Sequence, residues 1–335
     1  MRLEELAGQD HAVALLLRAV SLGRVPHGYL FDGPQGVGKR TAAIGLALAL
    51  ICPEAPGKGC GRCDVCRRAL AGNHPDVRVI VPATQFVLME QIQEIVRLGS
   101  SRPHEAPARV LVLDEADRMT RSGANALLKT LEEPYPNTYL VLLTTVPDGL
   151  PQTILSRTQR VRFIPVRPAV MVELGTRRGI ERERAETAAA LAAGSVGRFF
   201  ELAGSTGEDS LWKIAGQLRR AAGAGDMGAI FDAALEVGDK EGKESLPDVL
   251  ALLARFYRDA LAAASGADDL VLLRGHGAEL GRLAELAAAQ PALGPLRRAL
   301  AAVIEADQAL LASANAVLAV ERMLLEMRPC ERGAA

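Results

Sequence analysis

A chain of 335 residues has room for two or three domains with real interiors, and 49% hydrophobic with 24% charged residues is the balance of a water-soluble globular protein. A formal net charge of −1 argues against a strong free-standing nucleic-acid binder and leaves any DNA contact to a local patch or a larger assembly. No apolar run reaches the length of a membrane span and the first residues lack a signal-peptide pattern, so the expected location is cytoplasmic.

Taken in order, His11 to Val20 carries apolar residues at helical spacing, with Asp10 as the expected N-cap. A strand, Tyr29-Leu30-Phe31, runs into Gly33-Pro34-Gln35-Gly36-Val37-Gly38-Lys39, and an apolar-rich helix leads out from Thr41 to Ile51. This fits the first seven positions of the phosphate-binding pattern G-x-x-x-x-G-K-[ST]. Gly33, Gly36 and Gly38 let backbone N–H groups turn toward phosphate oxygens, the helix adds its positive end, and Lys39 supplies a point charge. The eighth position should be a hydroxyl that holds magnesium, and it is Arg40. Thr41 comes one place late, and a turn of about 100° per residue directs it away from the metal position. The loop is expected to hold ATP or ADP, with magnesium and hydrolysis in doubt. The plainer alternative is a glycine-rich turn without a ligand.

Cys52, Cys60, Cys63 and Cys66 follow, spaced C-x7-C-x2-C-x2-C in a glycine-rich loop. Four thiolates suit tetrahedral zinc, and a closed set of four leaves no open position, so the expected role is structural. A redox pair or an iron–sulfur cluster would use the same residue type, but a cytosolic setting disfavours disulfides and nothing nearby speaks for electron transfer. Asn73-His74-Pro75-Asp76 reads as a turn, Val77 to Val81 as a strand, and Met89 to Leu98 as an amphipathic helix.

The apolar run Val110 to Leu113 ends in Asp114-Glu115, as a buried parallel strand does at the edge where open α/β sheets bind ligands. There Asp114 would hold magnesium through water and Glu115 would polarise an attacking water. A helix is predicted from Ser122 to Glu133, a strand from Tyr139 to Leu143 ending at Thr144, a further candidate at the nucleotide site, and an edge strand over 160–164. Strand–helix alternation through residue 165 predicts a parallel sheet flanked by helices. Beyond it no strand is expected. Two short helices fit Val170–Ala193, one more fits 199–206, and a break falls at 203–209. Five or so helices then run from Leu211 to Met327, parting near Gly223, Gly238, Gly266 and Gly294, the last a long or kinked helix over Pro295–Met327.

Together these stretches resemble the clamp-loader branch of the AAA+ ATPases over nearly all of residues 1–200. Gly8-Gln9 looks like the adenine-side box of that family, and His27 to Phe31 leading into Gly33-Pro34 is similar to its loop entry. The four cysteines match its zinc module, and Asp114-Glu115-Ala116-Asp117 its second acidic motif. Asn125 to Pro134 matches a run specific to the branch, and Ser156-Arg157-Thr158 resembles its Ser-Arg-Cys motif with Thr158 in place of cysteine.

The resemblance implies an AAA+ P-loop core over 1–165 with a zinc module at 52–66, an all-α lid over 166–206 and an all-α collar over 207–335. It implies that Arg157 acts in trans on ATP held by the adjacent subunit, where a guanidinium suits charge on phosphate oxygens. The implied partners are the motor (gamma/tau) and delta subunits and, through the assembly, the sliding clamp and primer–template DNA. Arg40, and Gly197 where motor subunits carry a lid arginine with Arg198 one place late, imply weak or absent ATPase activity in this chain alone. A hydrolysing motor subunit and a stand-alone zinc-containing nucleotide-binding regulator are the alternatives.

Overall fold

The computed structural model describes residues 2–204, 207–238, 245–273, 277–288, 293–312 and 314–332. They form two compact units, Met1–Val170 with Gly194–Gly197, and Met171–Ala193 with Arg198–Ala335.

The first unit is built on five parallel strands: β1 (Gly28–Asp32), β2 (Val77–Ile80), β3 (Arg109–Leu113), β4 (Thr138–Thr144) and β5 (Gln159–Arg162), in the order β2-β3-β4-β1-β5. Every residue of β1 and β3 is buried, and Tyr29–Phe31 and Val110–Leu113 within them read as apolar runs. Successive side chains point to opposite faces. Tyr29, Phe31, Val110, Val112 and Val141 pack under α1 (Asp10–Ser21), α2 (Lys39–Ile51) and α3 (Asp64–Leu70). Leu30, Leu111, Leu113, Leu140 and Leu142 pack under α4 (Met89–Gly99), α5 (Arg121–Glu132) and α6 (Gln152–Leu155). Parallel pairing sets Asp32 opposite Thr144 and Leu113 opposite Leu142, so the ends of β1, β4 and β3 share one edge.

One local expectation is corrected. Asp10 is not the cap of α1 but its first residue; Gln9 precedes it and its side chain caps nothing. The buried Gln9 amide instead donates to the carbonyls of Val37 (3.2 Å) and Ile164 (2.7 Å) and accepts from the Ile164 amide (3.1 Å), tying the phosphate loop to the end of β5. Asp76 lies in the expected turn and is also an anchor of the sheet. It is fully buried beside the buried Arg109 at 3.0 Å. It also accepts from the backbone amides of His104, Glu105 and Ala106 at 2.7, 2.8 and 3.0 Å. This ion pair locks β2 to β3 at the edge opposite the loop.

Among its described residues the second unit is entirely helical. The helices that follow the sheet are α7 (Pro168–Thr176), α8 (Arg182–Leu191), α9 (Val196–Gly204), α10 (Gly207–Ala224), α11 (Met227–Gly238), α12 (Leu246–Ala264), α13 (Gly277–Ala288), α14 (Gly294–Leu311) and α15 (Ala316–Glu331). The single last helix expected over Pro295–Met327 is two helices. Asn315 begins α15 by accepting from the Leu318 amide at 3.2 Å, an N-cap that ends any continuous helix before it. The break expected at 203–209, and with it the boundary at 206, involves residues 205 and 206, which lie outside the described residues. Inside the bundle, buried Arg219 of α10 pairs with Glu331 of α15 at 2.8 Å, Tyr257 of α12 donates to the same carboxylate at 2.5 Å, and the guanidinium lies 4.0 Å from the Phe256 ring centre. No described helix is long and apolar enough to cross a membrane.

Candidate functional site

The phosphate loop leaves β1 at Asp32 and enters α2 at Lys39. Gly33, Gly36 and Gly38 all take positive φ, and at Gly33 (+152°) a Cβ would collide with the Phe163 carbonyl, so only glycine fits. The Gly36 carbonyl accepts from the Gly197 amide at 3.2 Å, which brings the predicted lid position onto the loop. Arg198, one place later, pairs with Asp248. The first turn of α2 leaves its N–H groups free of intrahelical partners, as an anion site requires. Lys39 is buried and donates from Nζ to the carbonyls of Gly33 (2.5 Å) and Pro34 (2.7 Å). Burial lowers its pKa against the opposing pull of Asp114, Asp117 and Asp32, which places all three carboxylates within its field.

Asp114 directly follows β3 and forms an ion pair with Arg40 at 3.0 Å. Glu115, at φ +48°, pairs with Arg118 at 2.8 Å. Thr144, at the end of β4, donates to Asp117 at 2.5 Å. Asp32, nearly buried, takes Arg160 at 3.0 and 2.7 Å. Thr41 is half-buried one residue beyond Arg40, with no side-chain hydrogen bond among the described residues. The fold therefore gathers Lys39, Arg40, Asp114 and Thr144 at one sheet edge. Sequence reasoning overlooked Asp32 and gave Asp117 no role; the available signal was a carboxylate directly before the loop and a third acid in the Asp114–Asp117 run.

Arg157 is not part of that gathering. It sits between α6 and β5, and its guanidinium meets Glu132 at 2.7 Å, the Thr153 carbonyl at 3.1 Å and the Ser156 hydroxyl at 3.2 Å. Its side chain keeps 35% exposure. Its own carbonyl packs on Gly28, 2.9 Å from where a Cβ would stand. Gly28 opens β1 and Asp32 closes it. Four strand steps span about 13 Å, so Arg157 and the loop lie at opposite edges of the sheet.

The four cysteines converge, all Sγ atoms lying within 4.8 Å of one another. Cys52 and Cys63 are 3.9 Å apart and Cys60 and Cys66 4.0 Å. Sulfurs at about 2.3 Å from a tetrahedral zinc stand roughly 3.8 Å apart, so the donor set is compatible with structural zinc. The amides of Ala55 and Cys60 donate to the Cys52 sulfur at 3.3 Å, and those of Cys63 and Cys66 to Cys60 and Cys63 at 3.2 and 3.4 Å. Burial resists ionisation of Cys52, yet these amides and the adjacent thiols bring its pKa down to about 7. Burial pushes Cys66 up to about 12, and a cation at the centre is what would let all four ionise together. Cys330 lies apart, buried in the helical unit.

A parallel sheet of this order, with a phosphate loop after β1, an acidic run after β3 and a four-thiolate module behind α2, defines a P-loop core of the AAA+ class. Residues 8–167 match the family model described as DNA polymerase III, delta subunit. The chain is 38% identical over 160 residues to the DNA polymerase III subunit delta' of Bacillus subtilis, a match covering 48% of this chain and 49% of that one. It is also 38% identical over 154 residues to the DNA polymerase III subunit tau of Escherichia coli, covering 46% of this chain and 24% of tau. The matches thus span about half and about a quarter of these relatives' own lengths. A gamma subunit-related protein of Thermotoga maritima aligns over 95% of this chain and 99% of its own with a TM-score of 0.45 and 17% identity. Over this stretch of less than half its length, the chain is similar to the delta and tau subunits of DNA polymerase III.

Proposed function

We propose that the chain is a delta-prime-type subunit of a replicative clamp loader. In this reading it is a stator that joins motor (gamma/tau) and delta subunits and lends Arg157 to the ATP site of its neighbour. The observation that carries the reading is the place of Arg157. It is exposed, presented by Glu132, and about a sheet's length from the loop of its own chain. An arginine there has no nucleotide of its own to serve, and a guanidinium is the side chain best suited to charge building on a transferred phosphoryl group. Identity alone does not separate delta' from tau relatives, since both reach 38%. Arg40 favours delta', because a hydrolysing motor needs a metal-binding hydroxyl in that position.

The thiolate cluster would hold one structural zinc, and the segments 166–206 and 207–335 would serve as lid and oligomerising collar. Sliding clamp and primer–template DNA would be engaged through the assembly. The test is Arg157→Ala in the reconstituted complex. ATP turnover should fall at least about tenfold, a modest share of what trans arginines supply elsewhere. Co-elution with motor and delta subunits should be unchanged. Undiminished turnover refutes the trans role.

A further inference from the structure

We propose that the groove between α1 and the start of the sheet is a docking site for an acidic, amphipathic segment of a partner protein. Binding there does not require a trans role for Arg157.

The groove has a volume of about 550 Å³. Its inner wall is the start of β1 and β5, where Tyr29 pairs with Gln159. Its outer wall is one stripe of α1 and the turn beyond it. Leu15, Arg18, Ala19 and Leu22 recur there at three- and four-residue spacing, and Arg24 and Pro26 continue the wall toward β1. The core face of α1 is a different one, carrying the buried Ala12 and Leu16. Folding therefore leaves the stripe uncovered. Leu22 keeps 60% of its surface exposed, more than any other large apolar side chain among the described residues except Leu318. Tyr29, fully buried, closes the floor, and its hydroxyl has no hydrogen-bond partner among the described residues.

Charge decides what the groove takes. Arg18, Arg24 and His11 line it and no carboxylate does. Neither guanidinium has an ion pair or a hydrogen bond among the described residues, whereas Arg40, Arg109, Arg157 and Arg160 each have a carboxylate. Two unpaired arginines beside exposed leucine attract carboxylates and repel cations. An apolar floor flanked by arginine is the complement of a segment that carries leucine-like side chains on one face and carboxylates beside them.

The openness of the groove favours a chain segment over a small molecule. Small-molecule sites bury most of their ligand, but of the residues lining this groove only Tyr29 is buried. Nucleic acid fits less well. It calls for a run of cations along successive phosphates and for exposed aromatic faces under the bases. The groove offers two guanidiniums, one imidazole and a single tyrosine ring that is buried.

The test is a fluorescence-polarisation titration of the full-length chain with a labelled amphipathic peptide of Glu, Leu and Ala. The comparison probes are a peptide of the same charge with serine for leucine, and a labelled single-stranded oligonucleotide. The amphipathic peptide should bind saturably with a Kd below about 100 μM. Arg18→Glu combined with Arg24→Glu should weaken it at least about tenfold, and the milder pair Arg18→Ala and Arg24→Ala about fivefold. Leu22→Ser should weaken it about threefold. Arg97→Glu with Arg121→Glu, on α4 and α5 at the other face of the sheet, should change it less than about twofold. Bound peptide should slow hydrogen exchange over residues 11–29 and leave α4 and α5 unchanged. Thermal melting establishes that each variant is folded. Three results overturn the proposal: no saturable binding by the wild type, an equal loss from the Arg97 and Arg121 pair, or equal affinity for the peptide without leucine. Oligonucleotide binding that is tighter than peptide binding and lost with Arg18 and Arg24 overturns it too, and makes the groove a nucleic-acid site.

Discussion

Asp76→Ala should be among the most damaging single changes in the first unit. The carboxylate accepts from five N–H groups: the amides of His104, Glu105 and Ala106, and Nε and Nη2 of Arg109. Arg109 keeps its bonds to the Leu98, Ser101 and Arg102 carbonyls, so the variant leaves its charge buried and hydrogen-bonded but uncompensated. Removing one partner of a buried ion pair costs about 3–5 kcal/mol, and each stranded amide about 1 kcal/mol more unless water enters. Allowing for entry of water, about 4 kcal/mol is expected, close to a thousandfold in an opening equilibrium. Hydrogen exchange at the amides of β2 and β3 is the appropriate assay, because the chain's single tryptophan, Trp212, belongs to the other unit. Adding Arg109→Met to Asp76→Ala should recover part of the loss by removing the stranded charge.

The pH dependence follows from the same contacts. Burial alone would raise the Asp76 pKa, but the three amides and Arg109 outweigh it and hold the carboxyl below the usual range. A depressed folded-state value means that the contribution is complete above the ordinary carboxylate value of about 3.9. It is lost as pH falls from there through the lower folded value. An exchange rate raised less than about tenfold in Asp76→Ala would refute the account of this pair.

Two further outcomes are expected. Metal analysis of the purified chain should find about one zinc per molecule, with Cys63→Ser losing it and the 52–70 segment becoming sensitive to protease. Glu331→Ala should leave buried Arg219 paired with the more exposed Glu279 at 3.3 Å and take the acceptor from Tyr257, costing about 3 kcal/mol in a denaturation curve read by Trp212 fluorescence. Tyr257→Phe, which removes one hydrogen bond and leaves the ion pair, should cost only about 1 kcal/mol.

What the amino-acid sequence determined by itself was whatever is written locally. Three glycines and Lys39 in fixed spacing announce a phosphate loop, because backbone curvature needs those residues in those places. The cysteine spacing announces a four-thiolate cluster, and unbroken apolar runs announce buried parallel strands. The join between α14 and α15 was hidden by continuous Ala and Leu, which suit helix on either side; Asn315 was the available cap signal. Only the tertiary structure decided which charges meet. Arg160 finds Asp32 because β5 lies beside β1, Arg109 finds Asp76 because β3 lies beside β2, and Arg40 finds Asp114 because β1 and β3 flank β4. A strand's alternation tells which side chains face inward but not which strand lies beside it. Strand order is set by long-range burial, and it turns an acidic edge into one already filled with arginine, while the length of β1 separates Arg157 from the loop.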